Sequence, residues 1–172
     1  MKAIRFAGAG RPLNFETVPD PEPGPGWVVV DIEAAGLCHS DLHIMSGMDL
    51  GDLTVKSPVT LGHEGAGVIS AVGDGVRGFE VGDRVGIALV THPMEEALFA
   101  PGVGHDGAFA EQELAHVSTL VHIPDNVTFA EAGGGGAGGG GGGPARGGGG
   151  GGAGGGGAGG GGGEARAGGG WG

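Results

Sequence analysis

One short stretch of the sequence, CHSDLH at residues 38–43, concentrates side chains that bind metals and move protons. Cys38 is the only cysteine of the chain, and two histidines, a serine and an aspartate follow it directly. A single cysteine cannot form an internal disulfide, so its thiol is free for metal or redox chemistry. The stretch therefore directs attention to chemistry at Cys38.

A second block, LGHEGAG, adds an imidazole and a carboxylate at His63 and Glu64, which lie 25 and 26 residues after Cys38. Catalytic zinc keeps three protein ligands and one open position for water or substrate. This spacing alone is a weak signal, because a lone cysteine is often a small buried hydrophobic residue. On spacing alone, a metal site and a purely structural role both stay open.

The elements that must position these side chains come from only part of the chain. Residues 1–132 contain every Val, Ile, Leu, Met, Phe and His, whereas 29 of the 40 residues in 133–172 are glycine. About 130 residues are enough for one domain of ordinary size. We expect one domain over 1–132 and a Gly-rich, disordered tail over 133–172, since glycine has the highest ordering cost and the tail has little apolar surface.

The composition of the tail also points to its origin. Codons for Ala, Arg, Glu and Trp each lie one base from GGG, so a homopolymer-G error of sequencing or assembly would produce this mixture with glycine. A frameshift in GC-rich DNA and a genuine low-complexity tail are the alternatives.

The charge of the chain limits its partners. The formal net charge is −12 and the eight Lys and Arg residues are scattered, so we expect neither nucleic acid nor an anionic membrane as a partner. The N-terminal stretch lacks the apolar region of a secretory signal, and no apolar run is long enough to span a bilayer. Together with the single cysteine, these features predict a cytoplasmic protein.

Short Val- and Ile-rich runs between Gly and Pro residues predict a mostly β domain. The predicted strands are residues 1–6, 13–18, 27–36, 65–73, 83–90 and 109–123. Ser40 and Asp41 are residue types that cap helices, so the CHSDLH stretch is expected at a loop-to-helix junction. A further helical turn or two is expected over residues 93–100.

Three blocks occur in the order GLCHSDLHIMSG, PVTLGHEGAGVISAVGDGVRGFEVGDRVGI and DGAFAEQELAHVSTLVHIPDNVTFAEAG. From Met1 to about Ala132 the chain resembles the N-terminal catalytic domain of the zinc-dependent medium-chain alcohol dehydrogenases. The resemblance implies a GroES-like β-barrel with short helices. It also implies interconversion of an alcohol with an aldehyde or ketone, one catalytic zinc ion, NAD or NADP as cofactor, and a homo-oligomer for the intact family member.

The resemblance implies roles for individual residues of the two blocks. Cys38 and His63 correspond to zinc ligands, and Ser40 corresponds to the hydroxyl that touches the substrate alcohol. His43 corresponds to the relay that passes the proton towards solvent, and His39 to a contact with the pyrophosphate of the cofactor.

Two carboxylates complete the implied site. Asp41 and Glu64 correspond to groups that orient a ligand or approach the metal. The stretch that carries the third zinc ligand in the family is glycine here, so zinc would be bound loosely or would recruit Glu64 or water.

The chain also departs from the family pattern. The four cysteines of the structural zinc site have no counterpart, so no structural zinc is expected. No dinucleotide-binding domain follows residue 132, so we expect an incomplete and inactive fragment. The alternatives are a non-enzymatic GroES-like binding module and a zinc-free quinone reductase relative.

Overall fold

The computed structural model describes residues 1–47, 55–88 and 101–134, which form eight strands and two α-helices. The strands are β1 (Lys2–Phe6), β2 (Asn14–Thr17), β3 (Trp27–Ala35), β4 (Val59–Thr60), β5 (Gly65–Val72), β6 (Arg84–Ile87), β7 (Gln112–His116) and β8 (Leu120–His122). The helices are α1 (His39–Ser46) and α2 (Phe129–Gly134), and a 3₁₀ turn (Val117–Thr119) joins β7 to β8. No helix within these ranges combines the length and apolar character needed to cross a membrane.

The larger sheet contains five antiparallel strands in the order β7-β3-β5-β6-β8. One of its interior strands, β3, buries Val28 and Val30 completely, because alternate β-branched side chains point to the same face. Gly67 of β5 pairs with Ile32, and a Cβ at Gly67 would collide with the carbonyl of Asp31. The close approach of the two strands therefore requires glycine at this position. The core of this sheet consists of Val28, Val30, Ile69, Val85, Ile87, Ala115 and Leu120.

The smaller sheet has the order β2-β1-β4, and a second apolar cluster packs beside it. This cluster consists of Phe6, Ile44, Val59, Leu61 and Val103. Ile44 belongs to α1, so the helix is held to the strands by burial of its own apolar side chain.

Residues 107–111 connect the two sheets through backbone hydrogen bonds. Phe109 accepts from Ile4 of β1, and Glu111 accepts from Ile32 of β3. Ala108 donates to the carbonyl of Gly62, which belongs to the second candidate block. The sheets therefore curl around a shared interior, in agreement with the expected mostly β, GroES-like barrel.

The strands predicted from the sequence are present, with three differences. The predicted strand over 109–123 is divided into β7, the 3₁₀ turn and β8, and the two-residue strand β4 was not predicted. Helix α2 was also not predicted, and it includes Gly133 and Gly134, which composition assigned to the tail. Gly133 is buried, and a Cβ there would crowd the backbone of Ala34. Helix α2 thus ends close to the predicted boundary at residue 132.

Two expectations lie outside the described residues. These are the predicted helix over 93–100, in the region where the structural zinc lobe of relatives would occur, and the disorder of the tail from residue 135 onward.

Candidate metal site

Helix α1 presents Cys38 at its N-terminal end. Cys38 is the N-cap residue, with φ −90° and ψ 155°, and it is half-buried. The helix ends at Gly47, whose φ of 76° is the left-handed conformation that favours glycine at this position. These two ends fix the length of α1 and place the thiol where β3 meets the helix.

Asp41 connects the two sequence blocks. Its side chain is 1% exposed, and its Oδ2 accepts a 2.9 Å hydrogen bond from the backbone N–H of Cys38. Its Oδ1 accepts from the backbone N–H of Gly62 at 3.3 Å and lies 3.5 Å from Nδ1 of His63. One carboxylate therefore caps the helix, holds the loop before His63 and orients the imidazole. The prediction that Ser40 or Asp41 caps the helix is met in part: Asp41 accepts from the N-cap backbone as the third residue of the helix, whereas Cys38 is the N-cap and Ser40 contacts His63.

The His63 ring is buried between two polar groups. Nδ1 faces the Asp41 carboxylate, and Nε2 lies 3.1 Å from Oγ of Ser40. The interaction with Asp41 is the main cause that raises the pKa of His63 to about 9, with a smaller contribution from Cys38, whereas burial acts in the opposite direction. A carboxylate on one ring nitrogen leaves the other nitrogen for a metal, which is the arrangement found behind many histidine ligands.

The thiol of Cys38 is prepared for ionisation by the same neighbours. Hydrogen bonds from the side chain and then the backbone of Ser40 lower the pKa of Cys38, and His63 lowers it further. Because the thiolate is the form that binds metals, these contacts favour the ligand form of the residue.

Glu64 supplies the third donor. One ligand atom each from Cys38, His63 and Glu64 lie within 4.8 Å of one another. The backbone carbonyl of Glu64 accepts a 2.8 Å hydrogen bond from Gly36, and a Cβ at Gly36 would collide with the Glu64 carboxylate and with the carbonyl of Gly133. Thiolate, imidazole and carboxylate form a donor set that fits zinc, with three protein ligands as in catalytic sites.

The remaining predicted residues lie on the first turns of α1. The rings of His39 and His43 contact each other, with centroids 4.4 Å apart and planes inclined at 58°. Ser40 contacts His63, and no hydrogen bond between Ser40 and His43 is present in the part of the chain that the structure describes. The structure thus brings Cys38, His63 and Glu64 together with Ser40 beside them, but it does not join Ser40 to His43.

Comparison with known proteins identifies the family. The model of the alcohol dehydrogenase GroES-like domain matches residues 24–125, which include the whole candidate site. The chain belongs to the medium-chain alcohol dehydrogenase family.

The relatives of this GroES-like domain are longer proteins. It is 42% identical over 131 residues to an NAD-dependent alcohol dehydrogenase of Sulfurisphaera tokodaii, a match that covers 66% of this chain and 38% of that protein. Among solved structures, an alcohol dehydrogenase of Aeropyrum pernix matches with a TM-score of 0.65 and 35% identity, over 74% of this chain and 41% of that one. A quinone oxidoreductase of Pseudomonas syringae pv. Tomato DC3000 matches with a TM-score of 0.60 and 35% identity, over 77% of this chain and 36% of that one. The chain spans about two fifths of the length of the curated relative it matches.

One buried acidic residue of the GroES-like domain was not anticipated. Glu113 of β7 is 2% exposed, and neither carboxyl oxygen has a hydrogen-bond partner among the described residues. Burial raises the pKa of Glu113 well above its usual range, and the charge of His63 acts weakly against this. The sequence signal that could have predicted its burial is the alternation of QELAH, in which Glu113 shares the inward face with Ala115.

Proposed function

We propose that this domain holds one catalytic zinc ion through Cys38, His63 and Glu64 and contributes it to the NAD(P)-linked interconversion of alcohols with aldehydes or ketones. The observation that carries the proposal is the convergence of these three donors around a histidine that a buried carboxylate orients. The family supports the oxidoreductase class, and the name of the Sulfurisphaera relative supports NAD as the cofactor.

When bound, zinc supplies a Lewis acid for the oxygen of a small alcohol or aldehyde. The protein residues around it bind and orient. On metal binding the Asp41 carboxylate would keep the Nδ1 proton of His63, and the Nε2 proton of the charged ring would leave so that Nε2 could serve as the ligand. The Ser40 hydroxyl, now 3.1 Å from Nε2, would lose this partner when Nε2 serves as a ligand and would then be available to the substrate hydroxyl.

Ser40 and His43 would remove the proton of the alcohol during oxidation and return it during reduction. Imidazole suits proton transfer near neutral pH, and His43 lies half-buried on α1. Because Ser40 and His43 are not hydrogen-bonded in the structure, the relay requires a side-chain rotation or an intervening water.

His39 would contact the cofactor phosphates. It is the first residue of α1, where free backbone N–H groups and the helix dipole favour an anion. NAD and NADP differ at the ribose, away from the pyrophosphate, so this contact favours neither.

The alternative with support from a comparison is a zinc-free quinone reductase, because a quinone oxidoreductase is among the structural relatives. A zinc-free enzyme has no need for a thiol with a lowered pKa beside an oriented imidazole. Metal content therefore distinguishes the two functions.

The test is zinc and cobalt binding by the 172-residue chain. We expect Co²⁺ to give the intense near-ultraviolet band of a cobalt–thiolate bond, and Cys38→Ser to abolish it and to weaken zinc binding. His122→Gln is the matched control, since His122 is an exposed histidine that stacks on Phe79 away from the three ligands. Unchanged zinc affinity in Cys38→Ser would remove the site assignment.

Catalysis is tested on a chimera that joins residues 1–134 to the remainder of the Aeropyrum pernix relative. Zinc-dependent oxidation of alcohols with NAD or NADP, lost in Cys38→Ser, is the expected result. A folded chimera that binds zinc and cofactor but converts no alcohol or aldehyde would contradict the dehydrogenase function.

A further inference from the structure

Two histidines on α1 form a pair that shares no residue with the three-donor site. His39 and His43 are separated by four positions, so they lie one above the other on the same face of the helix. Their ring centroids are 4.4 Å apart, and both side chains are partly accessible to solvent. Within the described ranges, neither ring has a hydrogen-bond partner that fixes its orientation.

The separation of the rings suits one shared metal ion. Metal–nitrogen bonds of about 2.0–2.1 Å place each imidazole centroid roughly 3.2 Å from the ion. When the two metal–nitrogen bonds meet at a right angle at the ion, the two ring centroids are about 4.5 Å apart. The observed 4.4 Å agrees with this distance. Two histidines four residues apart on a helix also supply two of the ligands in the His-Glu-x-x-His zinc motif.

We propose that His39 and His43 form a second, weaker binding site for a divalent transition-metal ion, with copper(II) preferred over zinc(II). Imidazole suits copper, nickel and zinc, and copper(II) forms the most stable complexes of the divalent first-row series. The net charge of −12 favours cation binding at an exposed site. Two protein ligands leave the other positions to water, which accounts for the weaker affinity.

Occupation of the pair would have a consequence for catalysis, and this part alone rests on the proposed function. A metal on His43 takes the electron pair that would accept the proton from Ser40. Copper bound at this pair should therefore inhibit the enzyme.

Binding is tested in the Cys38→Ser background of the full chain, which removes both the thiolate ligand and the only thiol that copper could oxidise. Cu²⁺ is titrated and followed by electron paramagnetic resonance, whose nitrogen hyperfine pattern counts the imidazole ligands. We expect one copper with two nitrogen ligands.

The site is assigned by adding His39→Gln or His43→Gln to this background. Since even the partners behind a ligand change metal affinity about 10–100-fold, loss of a direct ligand should weaken copper binding by at least about tenfold. His122→Gln and His63→Gln, made in the same background, should leave the first copper in place.

Unchanged copper affinity in both His39→Gln and His43→Gln would overturn the proposal, and so would loss of the first copper in His63→Gln with retained circular dichroism. Failure here leaves the Cys38-dependent zinc test untouched, because the two experiments probe different residues.

Discussion

Two buried carboxyl groups, those of Asp41 and Glu113, show opposite solutions to the same problem. Asp41 receives two backbone N–H groups and faces a histidine whose pKa it raises. Glu113 is equally buried, but its oxygens have no partner among the described residues. Removing a carboxylate from water is costly unless hydrogen bonds or a counter-charge compensate. Asp41 has both kinds of compensation, whereas burial favours the neutral acid at Glu113.

The surroundings of Glu113 explain why it lacks compensation. A Cβ at Gly65 would lie 3.1 Å from Oε2 of Glu113, and it would also contact Ala108 and Ile87. The carboxyl therefore lies among small and apolar groups behind the metal site. Asp41 therefore organises the site, whereas Glu113 lowers the stability of the domain.

The largest effect is expected for Asp41→Ala. The substitution leaves the backbone N–H of Cys38 and a charged His63 without their partner, and breaking a buried pair in this way costs about 3–5 kcal/mol of the free energy of unfolding. Urea unfolding of the metal-free chain measures the loss. Asp41→Asn, which keeps an acceptor oxygen, should lose less, and equal stability of Asp41→Ala and wild type would remove the organising role.

The opposite sign is expected for Glu113→Leu. Leucine has a similar size and no polar atoms, so the change removes an unsatisfied buried carboxyl and should raise the free energy of unfolding by about 1–3 kcal/mol at neutral pH. Glu33→Leu, which changes an exposed glutamate of the neighbouring strand β3, is the matched control. A destabilised but folded Glu113→Leu would show that Glu113 has a partner in solution.

The pH dependence of stability gives a third test. The folded-state pKa of Glu113 lies above its unfolded value, so the unfolded chain loses this proton first as the pH rises. Ionisation of Glu113 therefore leaves the stability unchanged below about pH 4.3 and lowers it progressively above this pH, until the folded pKa is reached. The free energy of unfolding should fall less steeply with pH in Glu113→Gln than in wild type. Parallel curves would contradict the raised pKa.

Much of the site could be anticipated from the sequence because its signals are local. The CHSDLH stretch carries the helix cap and the thiol together, and the glycines on either side of the His63-Glu64 pair mark the second block. The position of Glu113 could not be foreseen with the same ease, since its isolation depends on the register of β7 against Val30 and on the missing side chain of Gly65.

Helix α2 was not predicted for a different reason. Glycine disfavours helices, so composition placed the boundary before Gly133. Packing of this residue against Ala34 overrides that preference, and such a tertiary contact leaves no trace in local composition.

The smallest effect is expected at Ser40, which contacts the histidine that Asp41 orients. The Ser40 hydroxyl and backbone are the largest causes that lower the pKa of Cys38. Ser40→Ala removes the hydroxyl but keeps the backbone contact, so the thiol pKa should rise only part of the way to its usual value. The thiolate fraction of the metal-free chain, and with it the rate of alkylation by iodoacetamide near neutral pH, should then fall a few-fold.

Ser46→Ala is the matched control, because Ser46 lies on the same helix and its hydroxyl donates to the carbonyl of His43. An alkylation rate that is unchanged in Ser40→Ala, or that falls equally in Ser46→Ala, would show that His63 or the helix itself activates the thiol. Since Ser40 also contacts His63 in the metal-free protein, the stability of Ser40→Ala should be measured beside the rate, and a loss far below that of Asp41→Ala would identify the carboxylate as the main organiser of the site.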